Sequence, residues 1–233
     1  MWDGTSQKNG GNALGLKRML GFGSYQTAWS WLHKLRRAMV RPDRERLSGR
    51  VEVDETYVGG KEQGVRGRQI KKKAIVVIAI EVLEPKGFGR VRFRQITDVS
   101  ADSLVPFVRD VIVPESTVLT DGWQGYARLS HYGYTHEKAS MSASGNPAQV
   151  TMPGVHRVAS LRKRWLLGTH HGAVSNKHLD YYLGEYTFRF NRRTSKARGL
   201  LFYRLRQQSM QTSLTPYRQL VGGRPHLTHG SEE

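Results

Sequence analysis

The chain has 233 residues, 37 Lys plus Arg against 19 Asp plus Glu, no cysteine, and a formal net charge of +18. That length holds one substantial α/β domain and a small appendage, and the missing thiols exclude disulfides and Cys-ligated zinc and suit a reducing cytoplasm. So positive a field attracts polyanions, nucleic acid first, while a membrane is the weaker partner because no long apolar run and no secretory pattern are present.

Residues 1–12 are polar and Gly-rich and read as a disordered linker. Two helical patterns follow. Ala13, Leu14, Leu16, Met19 and Leu20 make a short apolar face, and Gly21-Phe22-Gly23-Ser24 makes a turn whose Ser24 can cap the next helix. From Tyr25 to Met39, residues Ala28, Trp29, Trp31, Leu32, Leu35 and Met39 recur at helical spacing beside Lys34, Arg36 and Arg37. A helix, a Gly-containing turn and a longer basic helix resemble a DNA-binding helix-turn-helix over 13–48, with Lys34, Arg36 and Arg37 as its contacts. An ordinary αα-hairpin is the alternative. Residues 42–49 are a charged linker.

The main domain is expected over 49–210, with 211–233 a tail. Strands are predicted at 49–58, at 74–82 (AIVVIAIEV, the most apolar) and at 90–96, which alternates. Ser100 opens a helix through Ile112 with Leu104, Phe107, Val108 and Val111 on one face. A strand at 117–120, a short helix at 122–129 and a strand near 134–137 follow. Residues 138–154 form a Ser/Gly/Pro/Met-rich loop long enough to suggest a functional segment. The pattern then turns helical at 155–167, 176–191 and 200–209. Three strands, helix, strand, helix, strand, then helices is the order of an RNase H-like α/β fold, a mixed sheet with flanking helices.

Two acidic strand ends stand out, Val51-Glu52-Val53-Asp54-Glu55 and Leu119-Thr120-Asp121-Gly122. An ionised carboxylate is strongly disfavoured in a core unless it is paired or binds a metal. Divalent ions of phosphoryl-transfer sites take carboxylate oxygens from one or two side chains and complete their shell with substrate phosphate. Asp54 and Asp121, 67 residues apart, would meet at the centre of such a sheet with Mg²⁺ or Mn²⁺ between them. Taken singly, Asp54 could pair with an arginine and Asp121 could cap a helix. A third ligand should follow the fifth strand, yet no Asp or Glu occurs between Lys138 and Leu179. His156 stands there, 35 residues beyond Asp121, with Lys163 seven residues later on the same helical face. Imidazole is a competent Mn²⁺ ligand and a poorer one for Mg²⁺. A lone helix histidine is often structural, and Glu185 is the rival ligand.

Arg189, Arg192, Arg193, Lys196, Arg198, Arg204 and Arg206 crowd the segment after Glu185, interleaved with Tyr186, Phe188, Phe190, Phe202 and Tyr203. Such arginines fix phosphates, and aromatics between them can stack on bases or simply fill a core. Lys71, Lys72, Lys163 and Arg164 are further phosphate contacts. Gly59-Gly60-Lys61 lacks the Ser/Thr and helix of a nucleotide-binding loop and reads as a hairpin turn. His170, His171 and His178 have no acidic or Cys neighbours at ligand spacing.

VEVDETYVGGK, VLTDGWQGY, HRVASLRKRWLLGTHHGAV and HLDYYLGEYTFRFNRR together resemble the ISXO2-like transposase domain, a branch of the DDE-type insertion-sequence transposases, from about Ala13 to about Gln208. The resemblance implies an RNase H-like core that cuts and joins double-stranded DNA at transposon terminal inverted repeats and target sites with Mg²⁺ or Mn²⁺. It implies a homo-oligomer on DNA, nucleoid-associated in a bacterial cytoplasm. It assigns the first two acidic positions to Asp54 and Asp121. Related subgroups place Glu seven residues before the helix Lys, where this sequence has His156 before Lys163. Many relatives also carry a Cys-rich zinc ribbon ahead of the helix-turn-helix. A noncatalytic DNA-binding descendant is the alternative function; an RNA-binding protein would explain the charge but not the two acidic strand ends.

Overall fold

Asn12 begins the ordered helical run: its side chain accepts from the Gly15 amide at 2.7 Å and caps α1 (Ala13–Leu20). Gly21, at φ 64°, ends α1 in the left-handed conformation that favours glycine. Ser24 caps α2 (Tyr25–Ala38) as expected, its Oγ accepting from the Gln26 amide at 3.2 Å. Ala13, Leu16, Ala28 and Leu32 pack between the two helices, with Phe22 and Trp29 against them. The computed structural model describes residues 10–41, 44–59, 73–139, 151–170 and 174–222. Lys71, Lys72, His171 and most of the 138–154 loop fall outside those residues, as does the side chain of Arg198.

The β-branched runs form a five-stranded sheet of β1 (Arg50–Val58), β2 (Ala74–Val82), β3 (Phe88–Ile96), β4 (Thr117–Thr120) and β5 (Thr135–Lys138), in the order β3-β2-β1-β4-β5. β1, β2 and β3 are successive antiparallel neighbours, whereas β4 runs parallel to β1 and β5 parallel to β4. This mixed sheet with flanking helices is compatible with the RNase H-like order. β2 is apolar from Ala74 to Ile80 because it lies inside the sheet, with Val76 to Ile80 buried. β1 alternates instead. Val51 and Val53 face helix α3 (Ala101–Val111), where Leu104, Phe107, Val108 and Val111 close one core with Val118 and Tyr126. Burying each such side chain contributes about 1.5–3 kcal/mol.

The short helix expected over 122–129 is replaced by two 3-10 turns, Gln124–Tyr126 and Leu129–Tyr132. Gly122 at φ 83° breaks the helical path, and the Trp123 amide donates to Asp121 Oδ1 at 2.9 Å, making a tight turn there. The helix expected from residue 155 starts two residues earlier, as α4 (Pro153–His170), with proline in the first turn where its missing N–H costs nothing. A 3-10 turn (Asn176–His178) then leads into α5 (Leu179–Phe190), α6 (Arg198–Gln211) and α7 (Tyr217–Gly222).

The chain forms two compact units, one spanning Glu45–Arg164 and the other made of Met1–Arg44 and Trp165–Glu233. Within the latter unit, Ala38, Met39, Phe188 and Leu205 form one buried cluster, and the His33 ring lies 4.8 Å from that of Tyr181.

Candidate metal centre and nucleic-acid surface

The parallel pairing of β1 with β4 sets Arg50 against Thr117, Val51 against Val118 and Glu52 against Leu119. Asp54 lies in the middle of β1, two residues beyond the last of these pairs, and Asp121 is the residue after β4, two beyond Leu119. One ligand oxygen from each of Asp54, Glu55 and Asp121 lies within 4.8 Å of the others. Asp54 and Glu55 are half-buried and Asp121 is exposed, so the cluster opens to solvent at one side.

Local structure aims each group. Asp54 Oδ1 accepts from the Glu55 amide at 2.8 Å, and Asp121 Oδ1 from the Trp123 amide. Thr120 Oγ1 accepts from the Gly122 amide at 3.2 Å and meets His136 Nε2 at 2.9 Å, fixing the exit of β4. The Trp123 indole N–H donates to the Val99 carbonyl at 2.8 Å. A Cβ on Gly125 would approach that carbonyl oxygen to 2.7 Å, so only glycine lets the turn close this tightly. Tyr126 is fully buried and its hydroxyl donates to Glu55 Oε2 at 3.1 Å. Burial, with Glu55, Asp54 and Asp121 alongside, holds that hydroxyl well above the usual tyrosine range. It therefore stays a proton-bearing donor.

The face of β1 that carries Asp54 carries a second carboxylate, Glu52. Glu52 is 2% exposed and its Oε2 accepts from the Val155 amide at 2.9 Å, at the amino end of α4. An anion is favoured at that end, where backbone N–H groups have no helical partner. Burial pushes the Glu52 carboxyl up, against the lowering by the Val155 and Gly154 amides. A Cβ on Gly154 would come within 2.8 Å of both Glu52 Oε2 and the Phe88 ring, so glycine admits the helix to the strand. His156 is the residue after Val155. It is half-buried, burial lowers its basicity, and it is outside the three-carboxylate cluster among the described residues.

Lys163 and Arg164 are exposed on α4, as is Lys34 on α2; Arg37 is half-buried. Arg36 was expected on the DNA-facing side and Glu185 as the alternative metal ligand. The two instead meet inside one unit, Arg36 Nε at 2.7 Å from Glu185 Oε2, both almost fully buried. The Arg36 guanidinium also lies 4.1 Å over the Tyr182 ring. A buried charge stays ionised at tolerable cost only when so paired, which commits both groups to the interior. Arg192 and Arg193 lie over Phe188 and Phe190, each at 4.1 Å, and Arg189 is half-buried. Those two phenylalanines therefore serve as arginine platforms, and Phe188 is also core.

Sequence reasoning missed Glu55, Tyr126 and Glu52. The run Glu52-Val53-Asp54-Glu55 held a signal for two of them: strand alternation puts Glu52 and Asp54 on one face and Glu55 on the other. No helix among the described residues is long and apolar enough to cross a membrane. The model of the ISXO2-like transposase domain matches residues 46–191, more than half of the chain. No curated protein matches it.

Proposed function

The chain belongs to the ISXO2-like transposase domain family, and from that membership we propose that it is a DDE-type transposase cleaving and joining DNA at the ends of an insertion sequence. The observation that carries this reading is the gathering of one ligand oxygen each from Asp54, Glu55 and Asp121 within 4.8 Å, beside the parallel β1–β4 pairing. Carboxylate oxygens are the hard donors that Mg²⁺ and Mn²⁺ take, and three of them within 4.8 Å call for a cationic counter-charge. When bound, a pair of such ions would activate the attacking oxygen and stabilise the leaving oxygen of the phosphodiester.

Asp54 and Asp121 are the residues that would hold the metal. His156 is the third ligand in this proposal. Glu52 anchors the residue before it, and Glu52 and Asp54 share a face of β1 about 7 Å apart along the strand. Glu55, held by Tyr126, supports the charge of the site from the other side of the pleat. Lys163 and Arg164 would take DNA phosphates along α4, and Lys34, Arg37, Arg189, Arg192 and Arg193 would add to the phosphate-binding surface, with Lys71, Lys72 and Arg198. The partner is double-stranded DNA, at terminal repeats and target, and the protein would act on it as a homo-oligomer.

The test is a strand-transfer assay on the element's own ends with Mg²⁺ or Mn²⁺. Joined products that vanish in Asp54→Asn and Asp121→Asn support the proposal. The second reading, a noncatalytic DNA-binding protein, is favoured by the single fact that histidine stands at position 156. DNA binding without cleavage under either ion would establish that reading instead.

A further inference from the structure

Ala38 and Met39 at the end of α2, Phe188 near the end of α5 and Leu205 on α6 form one buried apolar cluster. Three arginines are brought together around it. Arg192, one turn beyond Phe188, lays its guanidinium 4.1 Å over the Phe188 ring, and its Nη1 donates to the Phe188 carbonyl at 3.3 Å. Arg41 follows Met39 by two residues and Arg204 precedes Leu205; both are exposed, whereas Arg192 is half-buried. Burial, together with the charges of Arg41 and Arg204, pushes the Arg192 guanidinium below the usual arginine range. It remains protonated at any physiological pH.

Other arginines of the protein have carboxylates to face. Arg36 has Glu185, Arg90 has Glu81 and Glu45, Arg94 has Asp110 and Arg50 has Glu137. Among the described residues no carboxylate pairs with Arg41, Arg192 or Arg204. A run of exposed cations is ordinarily a solvated face. Arg192 departs from that pattern because it is stacked, hydrogen-bonded and partly desolvated while two like charges repel it. An anion converts that repulsion into attraction, and the planar guanidinium fork matches two oxygens of a phosphate.

We infer that Arg41, Arg192 and Arg204 form a binding site for a backbone phosphate of double-stranded DNA. The inference rests on the DNA-acting reading above and adds a site to it. Arg192 is the prealigned anchor, since its ring stack and carbonyl bond fix the guanidinium plane before DNA arrives. Arg41 and Arg204 close on the same phosphodiester from the segment after α2 and from α6. The cations nearby in sequence, Arg189, Arg193, Lys196 and Arg206, suit a polymer backbone better than a lone phosphate ion.

The test measures binding of a terminal-repeat duplex to the full chain without divalent metal, so that catalysis plays no part. Arg41→Gln/Arg204→Gln changes two exposed side chains, and Arg192→Lys keeps the charge but removes the fork. The control, Lys86→Gln/Arg128→Gln, removes the same net charge at exposed positions of the other unit. Expected is an affinity about tenfold or more lower for Arg41→Gln/Arg204→Gln than for the control, with the salt-dependence slope smaller by about one. Arg192→Lys should also weaken binding while leaving the thermal midpoint near that of the wild type. Equal losses in test and control variants would overturn the site and leave the DNA-acting reading standing. No duplex binding by the wild type would overturn both. A thermal shift by inorganic phosphate, lost in Arg41→Gln/Arg204→Gln while duplex affinity is unchanged, would assign the site to a free ion and overturn the DNA assignment.

Discussion

Asp54 of β1 and Asp121, just past the end of β4, bring carboxylate oxygens within 4.8 Å of each other, and each stands two residues beyond the Glu52–Leu119 pair of the parallel β1–β4 ladder. The 67-residue interval between them is therefore a register, repeated at every pair of that ladder from Arg50–Thr117 onward. Neutralising either residue should remove a metal ligand without disturbing the sheet, because asparagine is nearly isosteric. Asp54→Asn and Asp121→Asn should each lower strand transfer about a thousandfold or more, the loss of several kcal/mol of transition-state stabilisation. Duplex affinity should hold or rise slightly, since one negative charge near the DNA is gone. Strand-transfer and filter-binding assays side by side check both halves; near-normal joining by either variant would refute the site.

Glu55 and His156 compete for the remaining role. Glu55 has an oxygen within the cluster, but its Oε2 is engaged by the buried Tyr126 hydroxyl. Glu55→Gln keeps an acceptor for that hydroxyl, so activity should fall by about tenfold, not vanish. His156→Ala should be inactive, and His156→Glu should stay active with its preference moved from Mn²⁺ toward Mg²⁺. The ratio of rates in the two ions is the measurement. An inactive Glu55→Gln beside an active His156→Ala would transfer the ligand role to Glu55.

Glu52 couples β1, the strand that carries Asp54, to α4 through the Val155 amide. Glu52→Ala should cost about 1–3 kcal/mol, the expense of leaving a buried N–H without a partner. Glu52→Gln retains an acceptor oxygen and sheds a desolvated charge, so it should be less destabilised. If Glu52 also positions His156, Glu52→Ala should lose activity at temperatures where it remains folded. Folded, fully active Glu52→Ala, shown by circular dichroism and joining assays on one preparation, would limit Glu52 to a structural role.

Most of the sheet was legible because periodicity is local: AIVVIAIEV has one comfortable place, inside a sheet, and Val51 and Val53 mark the core face of β1. Asp121 follows the end of β4 as expected, whereas Asp54, expected at a strand end, lies in the middle of β1 because that strand continues to Val58. The role of Arg36 was not legible. Its basic neighbours Lys34 and Arg37 point to a DNA surface, and only a partner 149 residues away, Glu185, reveals the buried pair. The earlier start of α4 at Pro153 was hidden likewise, because its amino end is satisfied by Glu52, about a hundred residues earlier. Contacts distant in sequence leave no periodic trace.

His33 on α2 sets a limit on stability at acid pH. Its ring is wholly buried, and neither nitrogen has a hydrogen-bond partner among the described residues. Trp29 and Arg36 flank it on α2, His178 lies 5.4 Å away, and Tyr181 and Tyr182 of α5 present ring edges. Among the described residues no carboxylate acts on its titration, and Glu185 is taken by Arg36. Burial first, then the charges of Arg36, His178 and His170, lowers its pKa from 6.5 to about 2. The sign follows from proton binding: below about pH 6.5 the unfolded chain takes up a proton that the folded chain refuses. This contribution to stability is therefore complete above about pH 6.5 and is lost progressively as pH falls from there toward about 2. By about pH 5 the loss should reach about 2 kcal/mol. His33→Phe removes the titrating group and two unsatisfied polar atoms while keeping an aromatic ring against Trp29. Denaturant midpoints at about pH 7.5 and pH 5 should converge in His33→Phe and separate in the wild type. An equal acid shift in both proteins would mean that His33 does not set the acid limit.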